Sequence, residues 1–196
     1  MAPRILVFAG STRAGAFSGK TADVAQKELA LAGGEVTRIS LADYPLPLMN
    51  EDLEREKGVP ANAVKLARLF VEHDGVLICT PEYNGGIPPL VKNTIDWISR
   101  VKTESGKSMY AFSGKAMGIC SSSNGHFAGI RSASHLRQVL AHIQAEVVAP
   151  QVSVPNGPEA FDEDGYFRDE RLTKNIRRLA ATLVERARLL SKRLEP

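Results

Sequence analysis

Disulfide chemistry has little to work with in this chain, which holds two cysteines among 196 residues. Two thiols are too few for a disulfide framework. Cys79 and Cys120 each close an apolar run, Val76-Leu77-Ile78 and Met117-Gly118-Ile119, where a thiol packs as a small hydrophobe. Long hydrophobic segments are also missing. The run Ile5-Leu6-Val7-Phe8-Ala9 is too short for a signal peptide or a membrane span, and the other uncharged stretches are broken by Gly, Ser and Pro. The expectation is a cytoplasmic protein with no membrane partner. No strong charge of one sign dominates either. The formal net charge is +3, and residues 168–194 carry nine Lys and Arg against three acids, so 16 basic and 19 acidic residues remain elsewhere. The excess therefore sits in one terminal segment, Lys192 and Arg193 included. That segment has no aromatic interleaving and no nucleic-acid motif, so no nucleic-acid partner is expected. The four histidines, at positions 73, 126, 135 and 142, lack metal-ligand spacing. Asp162-Glu163-Asp164-Gly165 resembles part of a calcium loop but lacks the later ligand positions, and reads as a turn. No metal site is expected.

What is present suits a globular fold. The apolar fraction of 43% and charged fraction of 24% exclude a disordered or collagen-like chain. The length predicts one domain over residues 1–196. Five short runs rich in Val and Ile read as strands buried on both faces: Ile5–Ala9, Val36–Ser40, Gly75–Thr80, Ala116–Ser121 and Glu146–Val154, the last interrupted by Pro150. Five helical patterns alternate with them. Ser18 is the expected cap of a helix through Thr21–Leu31, which Gly33-Gly34 would stop. Pro60 is placed at the first turn of the next helix. Others run from about Leu90 to Ile98, from about Ile130 to Ile143, and from about Glu170 onward. The last carries Leu172, Ile176, Leu179, Leu183, Leu190 and Leu194 on one face. This alternation predicts an α/β fold, a flavodoxin-like three-layer sandwich with a five-stranded parallel sheet in the order 2-1-3-4-5.

In such a sheet ligands bind at the carboxyl ends of the strands where the order reverses. The loops predicted there are unusual. After the first strand comes Gly10-Ser11-Thr12-Arg13-Ala14-Gly15-Ala16-Phe17-Ser18-Gly19. Its glycines let backbone N–H groups turn inward, its hydroxyls and Arg13 suit phosphate oxygens, and the next helix adds its positive end. After the third strand comes Pro81-Glu82-Tyr83-Asn84-Gly85-Gly86-Ile87-Pro88-Pro89, a stiff wall suited to a flat heteroaromatic ring. After the fourth comes Ser121-Ser122-Ser123-Asn124-Gly125-His126-Phe127. Two other phosphate motifs compete and fit poorly. Gly10, Gly15 and Gly19 do not have dinucleotide-fingerprint spacing. Gly19-Lys20-Thr21 matches the end of an NTPase P-loop, but the Gly required five positions earlier is Ala14, and the third strand has no terminal Asp for magnesium.

Gly10-Ser11-x-Arg13, together with Pro81-Glu82-Tyr83-Asn84, Pro88, Lys92-Asn93 and Asp96-Trp97, resembles the NADPH-dependent FMN reductase family, which includes bacterial quinone, chromate and azo-dye reductases. His135-Leu136-Arg137-Gln138-Val139-Leu140 is similar to the family's fourth-helix pattern, and the likeness spans roughly residues 4–155. The resemblance implies an FMN-dependent NAD(P)H oxidoreductase that reduces quinones, free flavin, azo dyes or chromate by ping-pong hydride transfer. It implies that Ser11, Arg13, Phe17 and Ser18 hold the FMN phosphate. Pro81, Glu82, Tyr83, Asn84 and Gly85 would run along the isoalloxazine, and Ser121, Ser122, Ser123 and Gly125 would cover its far side. FMN carries the chemistry, with NADPH or NADH as co-substrate, so no catalytic acid or base is expected. Tyr83, Arg100 and His126 are candidates for the substrate face. Family membership also implies a homodimer or homotetramer. The sequence departs from the family at four positions. Ala16 replaces a phosphate-contacting Ser, Ser18 an Asn, Gly86 a Ser and Pro89 a Gly. The first removes a hydroxyl contact, and the last predicts a locally different turn, since Pro cannot take a positive φ. A flavodoxin-type electron carrier is the alternative reading, although such carriers are strongly acidic; a cofactor-free scaffold and a P-loop NTPase are weaker ones.

Overall fold

Alternate residues of the first strand bury into opposite faces of the sheet, and this builds three layers. The computed structural model describes residues 1–191; Lys192, Arg193 and Leu194 lie outside them. The elements run β1 (Arg4–Ala9), α1 (Phe17–Leu31), β2 (Glu35–Ile39), α2 (Glu51–Lys57), α3 (Ala61–Glu72), β3 (Gly75–Pro81), α4 (Pro89–Arg100), β4 (Thr103–Glu104), β5 (Lys107–Ser108), β6 (Ala116–Ser122), α5 (Ile130–His142), β7 (Glu146–Val154) and α6 (Glu170–Ser191). Five strands form one parallel sheet in the order β2-β1-β3-β6-β7, the flavodoxin-like arrangement expected. Ile5, Val7, Leu77 and Cys79 pack against Leu29 of α1 and Leu179 and Leu183 of α6. Leu6, Phe8, Val76 and Ile78 face Phe70 of α3, Trp97 of α4 and Leu136 of α5. Among the described residues no helix is long and apolar enough to cross a membrane.

Each strand starts and ends within one residue of its expected bounds. Pro150 falls where β7 slips register against β6, between the pairs Met117–Val147 and Ile119–Gln151, so the interruption is a bulge at the sheet's edge. The helices differ more. Among the described residues six α-helices are present rather than five, because α2 stands between the second strand and the helix expected after Pro60. The Asn50 side chain caps it by accepting from the N–H groups of Asp52 and Leu53. The small antiparallel pair β4–β5 was also not expected. Ser18 is not a cap: α1 begins at Phe17 with Ala16 at its N-cap and no side-chain capping bond. Pro89 needs no positive φ, since it opens α4 at a first-turn position that favours proline.

Lys92, Asn93, Asp96 and Trp97 are structural. Lys92 and Asp96 pair at 2.7 Å along α4. Asn93 accepts from the Met49 N–H and donates to the Pro47 carbonyl, and the Trp97 indole N–H donates to that carbonyl at 2.7 Å. Together they strap residues 47–49 to α4.

Candidate functional site

A cleft of about 440 Å³ opens at the carboxyl ends of β1, β3 and β6, where the strand order reverses. Ser11, Arg13, Ala16, Phe17 and Ser18 form one wall, Pro81, Glu82 and Tyr83 another, and Ser122, Ser123, Asn124, Gly125, Phe127 and Arg131 the third. Of the expected residues the structure brings together Ser11, Arg13, Phe17, Ser18, Pro81, Glu82, Tyr83, Ser122, Ser123 and Gly125.

The first wall is arranged for an anion. The N–H groups of the first turn of α1 face no side-chain cap, no acid lies in that turn, and Arg13 stands beside it with its guanidinium carbon 5.8 Å from the Phe17 ring centre. Phe17 is seated on Gly157, where an added Cβ would come within 2.4 Å of the ring. Gly157 also donates its N–H to the Ser123 carbonyl, tying the third wall to the same place. Gly19-Lys20-Thr21 lies within α1, and the Thr21 hydroxyl is spent on the Phe17 carbonyl, so no P-loop is formed.

Glu82 joins the second wall to the third. Its carboxylate accepts from the N–H groups of Arg131 and Ser132, capping α5, whose N-cap residue Gly129 has no side chain to do so. Its other oxygen takes two bonds from the Arg131 guanidinium, at 2.9 and 2.7 Å. Partial burial works against the charge, but the Arg131 bonds and the Ser132 N–H outweigh it and hold the carboxyl below its ordinary pKa. Beneath this tether the buried hydroxyls of Thr80 and Ser132 bond each other at 3.1 Å.

Other expected residues lie elsewhere. Asn84 and Gly85 take left-handed φ values of 51° and 78°, and Tyr83 and Gly86 exchange backbone bonds around them. They form the tip of a tight two-residue turn, for which Asn-Gly is the preferred pair, outside the cleft lining. Ser121 points into the core, where its hydroxyl donates to the Ala128 carbonyl and bonds Ser153. Arg100 is the last residue of α4 and is bound to Glu54 of α2. His126 is exposed beside Phe127 and does not line the cleft. Among the described residues no cluster suits a metal, and Asp162 serves its turn by accepting from the Tyr166 N–H. Sequence reasoning missed Arg131 as part of the lining and Gly157 as the support of Phe17, and it placed Phe127 in the third loop without a role.

Two polar atoms in the cleft lining are buried without a partner, the hydroxyls of Ser18 and Ser122. They stand on different walls. Buried hydroxyls normally find hydrogen bonds, so a pair left open in one cleft fits a ligand with polar edges. A molecule with a phosphate at one end and a polar-edged flat ring at the other satisfies both the anion wall and the Tyr83 wall.

Comparison with known proteins agrees with the geometry. The sequence profile of NADPH-dependent FMN reductases matches residues 3–159. A quinone reductase of Escherichia coli is 38% identical over 146 residues, covering 74% of this chain and 73% of the relative. An NAD(P)H-dependent FMN reductase of Pseudomonas aeruginosa is 31% identical, covering 88% of this chain and 89% of its own. Among solved structures, the flavoenzyme NAD(P)H:acceptor oxidoreductase FerB of Paracoccus denitrificans superposes with a TM-score of 0.77 at 26% identity, over 95% of this chain and 98% of that one.

Proposed function

The chain belongs to the NADPH-dependent FMN reductase family, and on that premise we propose that the β1–β3–β6 cleft holds FMN and receives NAD(P)H and an oxidised small molecule in turn. The protein is an FMN-dependent NAD(P)H oxidoreductase. The observation that carries the assignment to this cleft is the pair of buried, unpartnered hydroxyls of Ser18 and Ser122, which belong to two different walls of its lining.

In this reading Ser11, Arg13 and Ser18, with the N-terminal N–H groups of α1, bind the phosphate. Phe17 shields that end from water. Pro81, Glu82 and Tyr83 run along the ring, while Ser122, Ser123 and Gly125 close its far side. When bound, FMN supplies the redox chemistry, taking hydride from NAD(P)H and giving two electrons to the acceptor. The chain's part is to bind, orient and desolvate. Tyr83, half exposed, offers a flat face at the mouth to whichever partner is present. The quinone reductases among the relatives support a quinone or a similar flat molecule as acceptor. The exposed apolar side chains Tyr83 and Phe127 of the cleft lining, with the exposed Ile130 next to Arg131, support a homodimer or homotetramer. The single sheet with both faces covered supports reading the chain as one domain. The need for NAD(P)H supports a cytoplasmic site of action.

The purified protein is expected to be yellow, to bleach under NADPH without oxygen, and to recolour on addition of a quinone. A protein that stays colourless and inactive when FMN is supplied would refute the assignment. Arg13→Ala should raise the FMN dissociation constant about tenfold, the loss of one charge-assisted contact. Its hydride-transfer rate at saturating FMN should stay near that of the parent. Fluorescence titration of FMN and stopped-flow bleaching measure the two quantities separately.

A further inference from the structure

On the other side of the β1–α1 loop lies a second hollow of about 210 Å³, half the size of the main cleft. It is bounded by the loop, by α1 and by the end of β2. Ala16, Gly19, Lys20 and Asp23 contribute at three- and four-residue steps, which places them on one face of the helix. Three cations from three elements line it: Arg13 of the loop, Lys20 of α1 and Arg38 of β2. One carboxylate opposes them, the exposed Asp23, with its oxygen 3.6 Å from the Arg38 Nε. The lining therefore keeps a formal excess of two positive charges, or of one when Arg13 is engaged by the flavin phosphate.

Arg38 is held in place. Its Nη1 donates to the Ile39 carbonyl at 2.6 Å, while its buried Nε makes no hydrogen bond and has only the long 3.6 Å ion pair to Asp23. Asp23 is exposed and its contact is too long for a hydrogen bond, so an anion entering the hollow would offer Arg38 a closer acceptor. Gly19 is a second, independent sign. It lies within α1, its φ is not left-handed, and a Cβ built on it would meet nothing within 4 Å. Glycine weakens a helix relative to alanine, and neither packing nor backbone conformation accounts for it here. What it does is leave the wall of the hollow open. Thr12 and Ser40 add hydroxyls to the same lining.

We infer that this hollow is a phosphomonoester subsite, distinct from the flavin phosphate cradle, and that it takes the 2′-phosphate of NADPH. The inference rests on the reading of the protein as an NAD(P)H oxidoreductase. Arg38 of β2 and Lys20 of α1, whose ammonium rests 5.7 Å from the Phe161 ring centre, supply the cations that a phosphate dianion needs, and NADH has no such group to place there. The hollow is too small and too polar for a second flat ring, and it shares Ser11 and Arg13 with the main cleft. A dinucleotide could thus reach both at once. Free inorganic phosphate offers the same chemistry and is the competing occupant.

The test compares the parent with Arg38→Ala and, in case that variant folds poorly, Lys20→Ala. The ratio of kcat/KM for NADPH to that for NADH is expected to fall about tenfold in either variant. Calorimetry with 2′-AMP, 5′-AMP and inorganic phosphate, on protein with and without FMN, gives a readout that needs no turnover. The parent should bind 2′-AMP better than 5′-AMP, and the variants should lose that difference. If phosphate binding depends on Arg38 while the coenzyme ratio does not move, the occupant is free phosphate and the assignment to NADPH falls. If neither 2′-AMP nor phosphate binding responds to Arg38 or Lys20, there is no subsite. A protein that refuses FMN yet binds 2′-AMP through Arg38 would overturn the flavin reading and leave the subsite standing.

Discussion

Glu82→Ala is expected to lower the unfolding free energy by about 2–3 kcal/mol and to raise the FMN dissociation constant at least tenfold. The figure combines a lost helix cap, about 1 kcal/mol, with a charge-assisted bond to a guanidinium that is half exposed and counts for about 1–2 kcal/mol after screening. The effect on FMN follows from geometry, since Glu82 holds the Tyr83 wall to the start of α5. Glu82→Gln keeps an acceptor for the N–H groups of Arg131 and Ser132 and should recover about half of the stability. The pH dependence has a definite sign. A carboxyl whose folded pKa is depressed contributes stability that is present above its unfolded pKa and is lost as pH falls through the folded value. The parent should therefore lose part of its advantage over Glu82→Gln in the acid range, as denaturant melts across pH would record. An Ala variant as stable as the parent would mean that the two walls are held together some other way.

The second large effect lies at the opposite end of the sheet. Lys115 precedes β6, is buried, and donates to the His73 carbonyl. Burial pushes its amine down from 10.5 to about 8, against a smaller opposing pull from Asp74. For a base with a lowered pKa, both folded and unfolded forms carry the proton below about 8, and the folded form bears the full desolvation cost. Between about 8 and 10.5 the folded amine has released its proton while the unfolded one keeps it, so stability rises with pH. The gain over that window is about 3 kcal/mol. Lys115→Met should flatten this rise and be at least as stable as the parent at pH 7, since it removes a buried charge and keeps the stem volume. The same slope in both proteins would show that the amine reaches water. His73 acts in the acid range in the same sense. Burial lowers its pKa, and its Nδ1 and Nε2 bond the Leu69 carbonyl and the Thr37 hydroxyl as a neutral ring. Protonation in the unfolded chain therefore draws the balance toward unfolding as pH drops.

The sheet was legible because each strand is a short Val- and Ile-rich run closed by Gly, Ser or Pro, and strands buried on both faces leave that trace without needing alternation. The cleft was legible because topology and composition named the same three loops. What could not be read was orientation. Ser121 and Ser122 are neighbours on one strand, so their side chains leave opposite faces, and only the pairing of Ser121 with Ser153 decides which of them reaches the cleft. Asn84-Gly85, expected along the ring, is also the strongest local signal for a tight turn, and the pair forms the tip of one. Arg131 had no local signature, because its place depends on a carboxylate 49 residues away. Arg100 was misplaced together with α2, whose Glu54 holds it. That helix has one apolar residue, Leu53, and so no stripe. Its signal lay in the Asn50 cap, the early acids Glu51, Asp52 and Glu54, and the late bases Arg55 and Lys57.

The bulge at Pro150 bears on how copies of this chain can meet. β7 is an outermost strand, and an outermost strand presents unpaired backbone groups that another chain can extend. Pro150 offers no N–H, and the slipped register beside it bends the ladder away from a straight template. Strand-to-strand stacking into a continuous intermolecular sheet is blocked on this flank. On this flank an approaching copy would meet helix and loop surfaces rather than a free strand edge.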